Sequence, residues 1–150
     1  IPAFGAASYG AWLQDQEPPR ASADVMTPGG FHSFEHRWAL GEAFSFHLEL
    51  GKAAVEARIH ALNQHCKAGL AAMKHVTLHT PLDAAVSSGI ITFEVAGHKP
   101  EDVVKHLHAK RIVASTTPYA TSYARLAPGL LNSEAEVESA LREIRALAGA

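Results

Sequence analysis

The sequence predicts an α/β sandwich: one mostly antiparallel sheet of three or four strands, helices packed on one face, and a long helix in front. Three observations predict it. Val55, Ile59, Leu62, Cys66, Leu70 and Met73 recur at spacings of 4, 3, 4, 4 and 3, a helical stripe. Ile91, Phe93 and Val95 alternate with polar residues inside Ser88–Ala96, the clearest strand. Ser133 and Glu136 form an S-x-x-E capping box ahead of Val137, Leu141, Ile144 and Leu147, the buried stripe of a closing helix. Together with the remaining segments, the order is helix, strand, strand, helix, strand, strand, helix.

Residues 1–30 read as an irregular arm. Pro2, Gly5, Gly10, Pro18, Pro19, Pro28, Gly29 and Gly30 interrupt any long element, and Trp12 and Leu13 are its candidate anchors. Ser33 is a candidate N-cap, with Glu35 in the first turn, where the helix dipole favours an anion. The helix is expected to run from Phe34 to Met73, since no proline interrupts it. Its first half carries Trp38, Leu40, Phe44, Phe46, Leu48 and Leu50 on more than one side. A chain of 150 residues has little with which to cover such a helix, so this half is expected to pack on another polypeptide segment or on a second copy.

Val76–His79 reads as a short edge strand ended by Thr80-Pro81. Pro100 suits the first position of a helix, with Glu101 and Asp102 in its first turn, Val103, Val104 and Leu107 inward, and an end near Lys110. Ile112–Thr117 and Ser122–Leu126 complete the strands. In the last, Ala124 and Leu126 face one way and Tyr123 and Arg125 the other.

Composition narrows the function. Hydrophobic residues make up 47% and charged residues 19%, values of a globular chain that can bury a core. A net charge of −2 gives no electrostatic footprint for nucleic acid or an anionic membrane. No apolar run approaches the roughly 18 residues of a membrane span. The single cysteine, Cys66, excludes an internal disulfide and a CxxC zinc site, and its place on the apolar stripe reads as inert packing. The ten histidines include His32 with His36, His75 with His79, and His106 with His108, but no pair has a third ligand at a defined spacing. Surface or core positions are the expected reading, with no metal site.

Arg125 is the only charge between Arg111 and Glu134. A guanidinium in such apolar company calls for an anion, and its planar fork fits a carboxylate through two parallel hydrogen bonds. Either an acid of this chain, Glu94 among them, supplies that carboxylate, or a ligand does. Thr116, Thr117, Tyr119 and Tyr123 are candidate neighbours in the same pocket.

Arg125, Asn132 and the Ser133 cap, in strand–Arg–Pro–turn–Asn–cap–helix order, resemble the C-terminal small domain of class V aminotransferases. These are the fold-type I pyridoxal phosphate (PLP) enzymes that include cysteine desulfurases and isopenicillin N epimerase-like proteins. The family's segment reads R-x-S-x-x-x-Y-N-T. Here Ala127 stands in place of the Ser and Leu131 in place of the Tyr. The resemblance covers roughly residues 25–147, makes residues 31–150 the small domain, and is closest to the isopenicillin N epimerase-like members. It implies that Arg125 holds the α-carboxylate of an amino-acid substrate. It also places Gly30 and Phe31 on a Gly-Thr motif that meets the cofactor phosphate, with His32 and Ser33 next; Phe31 has no side-chain donor, which leaves His32, Ser33 or a backbone N–H.

The family's cofactor-holding lysine lies in a large domain upstream. Lys52, Lys67, Lys74, Lys99, Lys105 and Lys110 lack its sequence context, and His98-Lys99 reads as a solvated turn. The resemblance therefore implies PLP only together with that large domain, a homodimer, and a cytoplasmic setting, with an exported form left open. The alternative is a non-catalytic binding or dimerisation module that keeps the fold.

Overall fold

The computed structural model describes residues 34–149, together with Ala11, Gln14 and Gln16. The elements in order are α1 (Phe34–Leu50), α2 (Lys52–Ala71), β1 (Val76–Leu78), a 3₁₀ turn (Ala84–Val86), β2 (Ile91–Val95), α3 (Pro100–Ala109), β3 (Ser115–Thr116), β4 (Ala124–Leu126) and α4 (Glu134–Arg145). The chain divides into two units, residues 1–46 and 47–150. The second contains the sheet and the core.

The long helix expected from Phe34 to Met73 is two helices. Gly51 adopts φ 83°, ψ 123°, a conformation open to glycine and strained for other residues. The first helix closes there, with the Gly51 N–H bonded to the carbonyls of His47 and Leu48, and the Gly51 carbonyl accepts from Val55 to start the second. Trp38, Leu40, Phe44, Phe46 and Leu48 on α1 are all more than half exposed.

The sheet has the order β1-β2-β4-β3, and every neighbouring pair is antiparallel. β2 and β3 both run against β4, so they are parallel to each other, and β2–α3–β3 is a split βαβ unit with β4 between its strands. Ile91, Phe93 and Val95 from β2 and Ala124 and Leu126 from β4 face the core. There they meet Leu62, Cys66 and Leu70 of α2, Val103 and Leu107 of α3, and Val137, Leu141 and Ile144 of α4. Each fully buried large side chain contributes about 1.5–3 kcal/mol. At Gly69 the Leu141 side chain of α4 lies so close to the α2 backbone that a Cβ would run into it.

The strands are shorter than the alternation suggests, for local reasons. α3 ends in a Schellman motif: Arg111 N–H bonds to His108 O and Ile112 N–H to Leu107 O. Ile112 therefore gives its donor to the helix, and β3 begins only at Ser115. Next to β1, the Thr92 N–H is taken by the Thr80 hydroxyl, just before Pro81. Thr117 closes the β3–β4 hairpin: its N–H reaches Tyr123 O and its hydroxyl accepts from Tyr123 N–H. Pro100 stands at the start of α3, and both halves of the Ser133–Glu136 capping box are formed.

Candidate functional site

Arg125 sits on β4 opposite Ser115 of β3 and Thr92 of β2, on the sheet face turned away from the core. It is half-buried, and its Nε–H donates to Ser115 Oγ at 2.9 Å. Among the described residues no carboxylate lies within 4 Å of it. Glu94, the acid of this chain singled out as its partner, instead accepts from His79 Nε2 at 3.0 Å. Arg125 thus spends one donor on a hydroxyl and keeps the two terminal nitrogens of its fork for an incoming anion.

The segment behind Arg125 is held by two bonds from α2 and one of its own. Asn63 Nδ2 of α2 donates to Pro128 O at 2.9 Å, Arg58 donates to Asn132 O at 2.9 Å, and Asn132 Oδ1 accepts from Gly129 N–H at 2.9 Å. Asn132 also donates to Glu136 Oε2, which takes the Ser133 N–H at 2.7 Å. Those bonds, the Ser133 backbone first, hold the Glu136 carboxyl below its ordinary value. Glu136 is therefore occupied, although it lines the cleft with Arg125.

That cleft has a volume of about 720 Å³. Arg125, Arg111 and Lys110 bring cations to it, Ser115 and Ser139 hydroxyls, and Ile90, Ile112, Val113, Leu126 and Pro128 an apolar lining. Thr116, Thr117, Tyr119 and Tyr123, the sequence-based candidates, are not among its lining residues. Tyr123 instead packs its ring on His79, with centroids 4.0 Å apart.

Gly30, Phe31, His32 and Ser33 lie outside the described residues, as do Trp12 and Leu13. Cys66 is fully buried, and burial, aided by the charge of Glu138, pushes its thiol up to about 12. His75 and His98 donate from Nε2 to Ile144 O and Leu147 O at the C-terminal end of α4, where the helix dipole favours donors. His108 Nε2 donates to Ala114 O at 2.8 Å and fixes the approach to β3. His106 Nε2 lies 3.3 Å from Glu143 without hydrogen-bond alignment. Among the described residues no three His, Cys, Asp or Glu side chains converge to hold a metal ion.

Sequence reasoning missed the supports. Lys67 is 2% exposed and donates to Pro81 O and Leu82 O, each at 3.0 Å, and to Ser87 Oγ at 2.6 Å. It fastens the β1–β2 connection to α2. Its signal in the sequence is its place one residue after Cys66 on the helix's buried side. Asn63, Arg58 and Ser115 gave no pattern of their own, because each partner is far away along the chain.

Comparison with known proteins bears on what this arrangement is. The model of the family described as Aminotransferase class-V matches residues 22–138, more than half of the chain. Among curated proteins compared by sequence, none matches. A solved apo structure of cysteine desulfurase from Thermococcus onnurineus NA1 is similar at TM-score 0.73 and 20% identity, covering 89% of this chain and 35% of its own. The cysteine desulfurase CsdA of Escherichia coli aligns at TM-score 0.68 and 16% identity, over 87% of this chain and 36% of its own. A mutant of C-DES with glycine covalently linked to its PLP cofactor aligns at TM-score 0.68 and 19% identity, over 95% of this chain and 35% of its own. At these identities the likeness is one of fold, and the chain spans about a third of the length of each of these structures. The four-stranded antiparallel sheet, the helices on one face and the family match together show that the chain belongs to the class-V aminotransferase family.

Proposed function

We propose that this chain is the substrate-side portion of a PLP-dependent class-V enzyme that acts on an amino acid, with Arg125 holding the α-carboxylate. The observation that carries the reading is Arg125, a half-buried residue of the cleft lining, bonded through Nε to Ser115 while no acid of the described chain lies within 4 Å of it. A fork held from one side by Ser115 is pre-oriented, so a carboxylate meets two parallel donors at little ordering cost.

Pyridoxal phosphate is the cofactor of this family, and when bound it supplies an electron sink for bonds broken at the amino-acid α-carbon. The described residues do not by themselves form its site. Lys67 has all three donors engaged, Lys110 lies 3.8 Å from Glu143, and Lys52, Lys74, Lys99 and Lys105 are exposed and outside the cleft. In this reading the cofactor-holding lysine belongs to a large domain joined to this chain, and the exposed α1 row packs against that domain or a second copy in a homodimer. Gly30 to Ser33 approach the cofactor phosphate there. Cys66, buried and with its thiol driven up, is unsuited to receive sulfur from a substrate, which favours amino-group or α-carbon chemistry, as in epimerase-like members, over desulfuration.

The test is Arg125→Ala in the chain joined to its large domain. The expected outcome is a KM for the amino acid raised tens-fold or more, from loss of about 2–5 kcal/mol of paired-charge binding. An unchanged KM removes Arg125 from the site. A second reading rests on the exposed apolar row of α1: a non-catalytic module that keeps the fold and dimerises through that helix. It gains if the isolated chain forms a discrete dimer and the gene encodes no lysine-bearing domain upstream.

A further inference from the structure

Arg111 is the only non-glycine residue of the described chain with positive φ, at 62°. It occupies the C′ position of the Schellman motif that ends α3, a seat usually filled by glycine because a Cβ crowds the backbone there. Glycine would hold this turn without that strain, which makes the Arg111 side chain a candidate for a role of its own. Arg111 lines the same cleft as Arg125.

The charges around the cleft separate into used and unused ones. Lys110 lies 3.8 Å from Glu143, which is also 3.3 Å from His106 Nε2. Glu136 is engaged by the Ser133 N–H and by Asn132. Arg111 and Arg125 have no carboxylate within 4 Å among the described residues. They enter from different segments: Arg111 lies four residues before Ser115, the cross-strand partner of Arg125. Ile112, Val113 and Leu126 bring apolar surface to the same cleft. Two arginines that line one cleft from separate segments, beside apolar residues, suit a short methylene chain with a carboxylate at each end.

From this geometry we infer that the cleft takes a dicarboxylic ligand, an acidic amino acid in the intact enzyme, with Arg111 as the specificity-determining contact for the distal carboxylate. The inference rests on the reading of Arg125 as the α-carboxylate anchor, and deepens it to a substrate class.

The experiment is calorimetric titration of the full chain at fixed ionic strength with glutarate, butyrate and inorganic phosphate, repeated on R111G, R111K and R125A. Glutarate is expected to bind about tenfold more tightly than butyrate. R111G should bring that ratio close to one while raising the melting temperature, because it removes the strain together with the guanidinium; a lost preference in a more stable protein cannot be ascribed to misfolding. R111K should keep part of the preference. Equal affinity for glutarate and butyrate in the parent chain, or an undiminished preference in R111G, overturns the role of Arg111 and leaves Arg125 standing. Butyrate binding undiminished in R125A overturns the anchor and the inference with it. Phosphate binding as tightly as glutarate overturns the dicarboxylate in favour of a phosphate site, and absence of binding by all three overturns both assignments.

Discussion

Lys67 and Cys66 are consecutive on α2 and buried to similar extents, yet they do opposite things. Lys67 takes a charge into the interior and satisfies it with two carbonyls and a hydroxyl from a single connection. Lys67→Met keeps most of the volume but strands those acceptors, so denaturant unfolding should show a loss of about 1–3 kcal/mol. An unchanged midpoint would mean that water replaces the ammonium without cost. Cys66 has no such partners, and its thiol is pushed from the ordinary 9.0 to about 12. The folded protein keeps this proton while the unfolded chain releases it, so stability declines as pH rises above 9.0. At pH 8 the native thiol should react with a disulfide reagent roughly a thousandfold more slowly than in denaturant. Rapid labelling of the native chain would place Cys66 at the surface.

At the scale of elements, the closing helix α4 is held by chemistry readable from its sequence. Ser133 accepts from Glu136 N–H, and the Glu136 carboxylate accepts from Ser133 N–H. Ser133→Ala should cost about 0.5–2 kcal/mol in equilibrium unfolding. The same bonds lower the Glu136 pKa below its ordinary 4.5. Stability from this carboxylate is therefore present above 4.5 and is lost as pH falls through its lower folded value. Ser133→Ala should shrink that acid limb, and an identical limb in the variant would show that the cap does not set it. The break at Gly51 was harder to read, since a lone glycine in a helical pattern is often tolerated and only its left-handed φ ends the helix. The Schellman end of α3 was likewise hidden, because arginine occupies the seat that glycine usually marks.

For the molecule as a whole, the exposed apolar residues of α1 bear on how the isolated chain behaves. Trp38, Phe44 and Phe46 are 73%, 62% and 62% exposed, apolar surface on more than one side of α1 that favours association. Light scattering should show concentration-dependent association of the chain, suppressed by Phe44→Glu combined with Leu48→Glu. A monomer at all concentrations would show that α1 is covered from within the chain. No described helix is long and apolar enough to cross a membrane.

By itself the sequence determined the order of elements, the stripe of α2, the inward faces of β2 and β4, the cap of α4 and the isolation of Arg125. Each of these is a local matter of period, capping or charge count, resolved within a few residues. Only the tertiary structure decided that Glu94 answers to His79, that Ser115 steadies Arg125, that Lys67 and Asn63 fasten distant loops, and that Arg111 shares a cleft with Arg125. Those outcomes depend on which strands become neighbours, and hydrogen bonds between residues far apart along the chain leave no spacing in the sequence by which to find them.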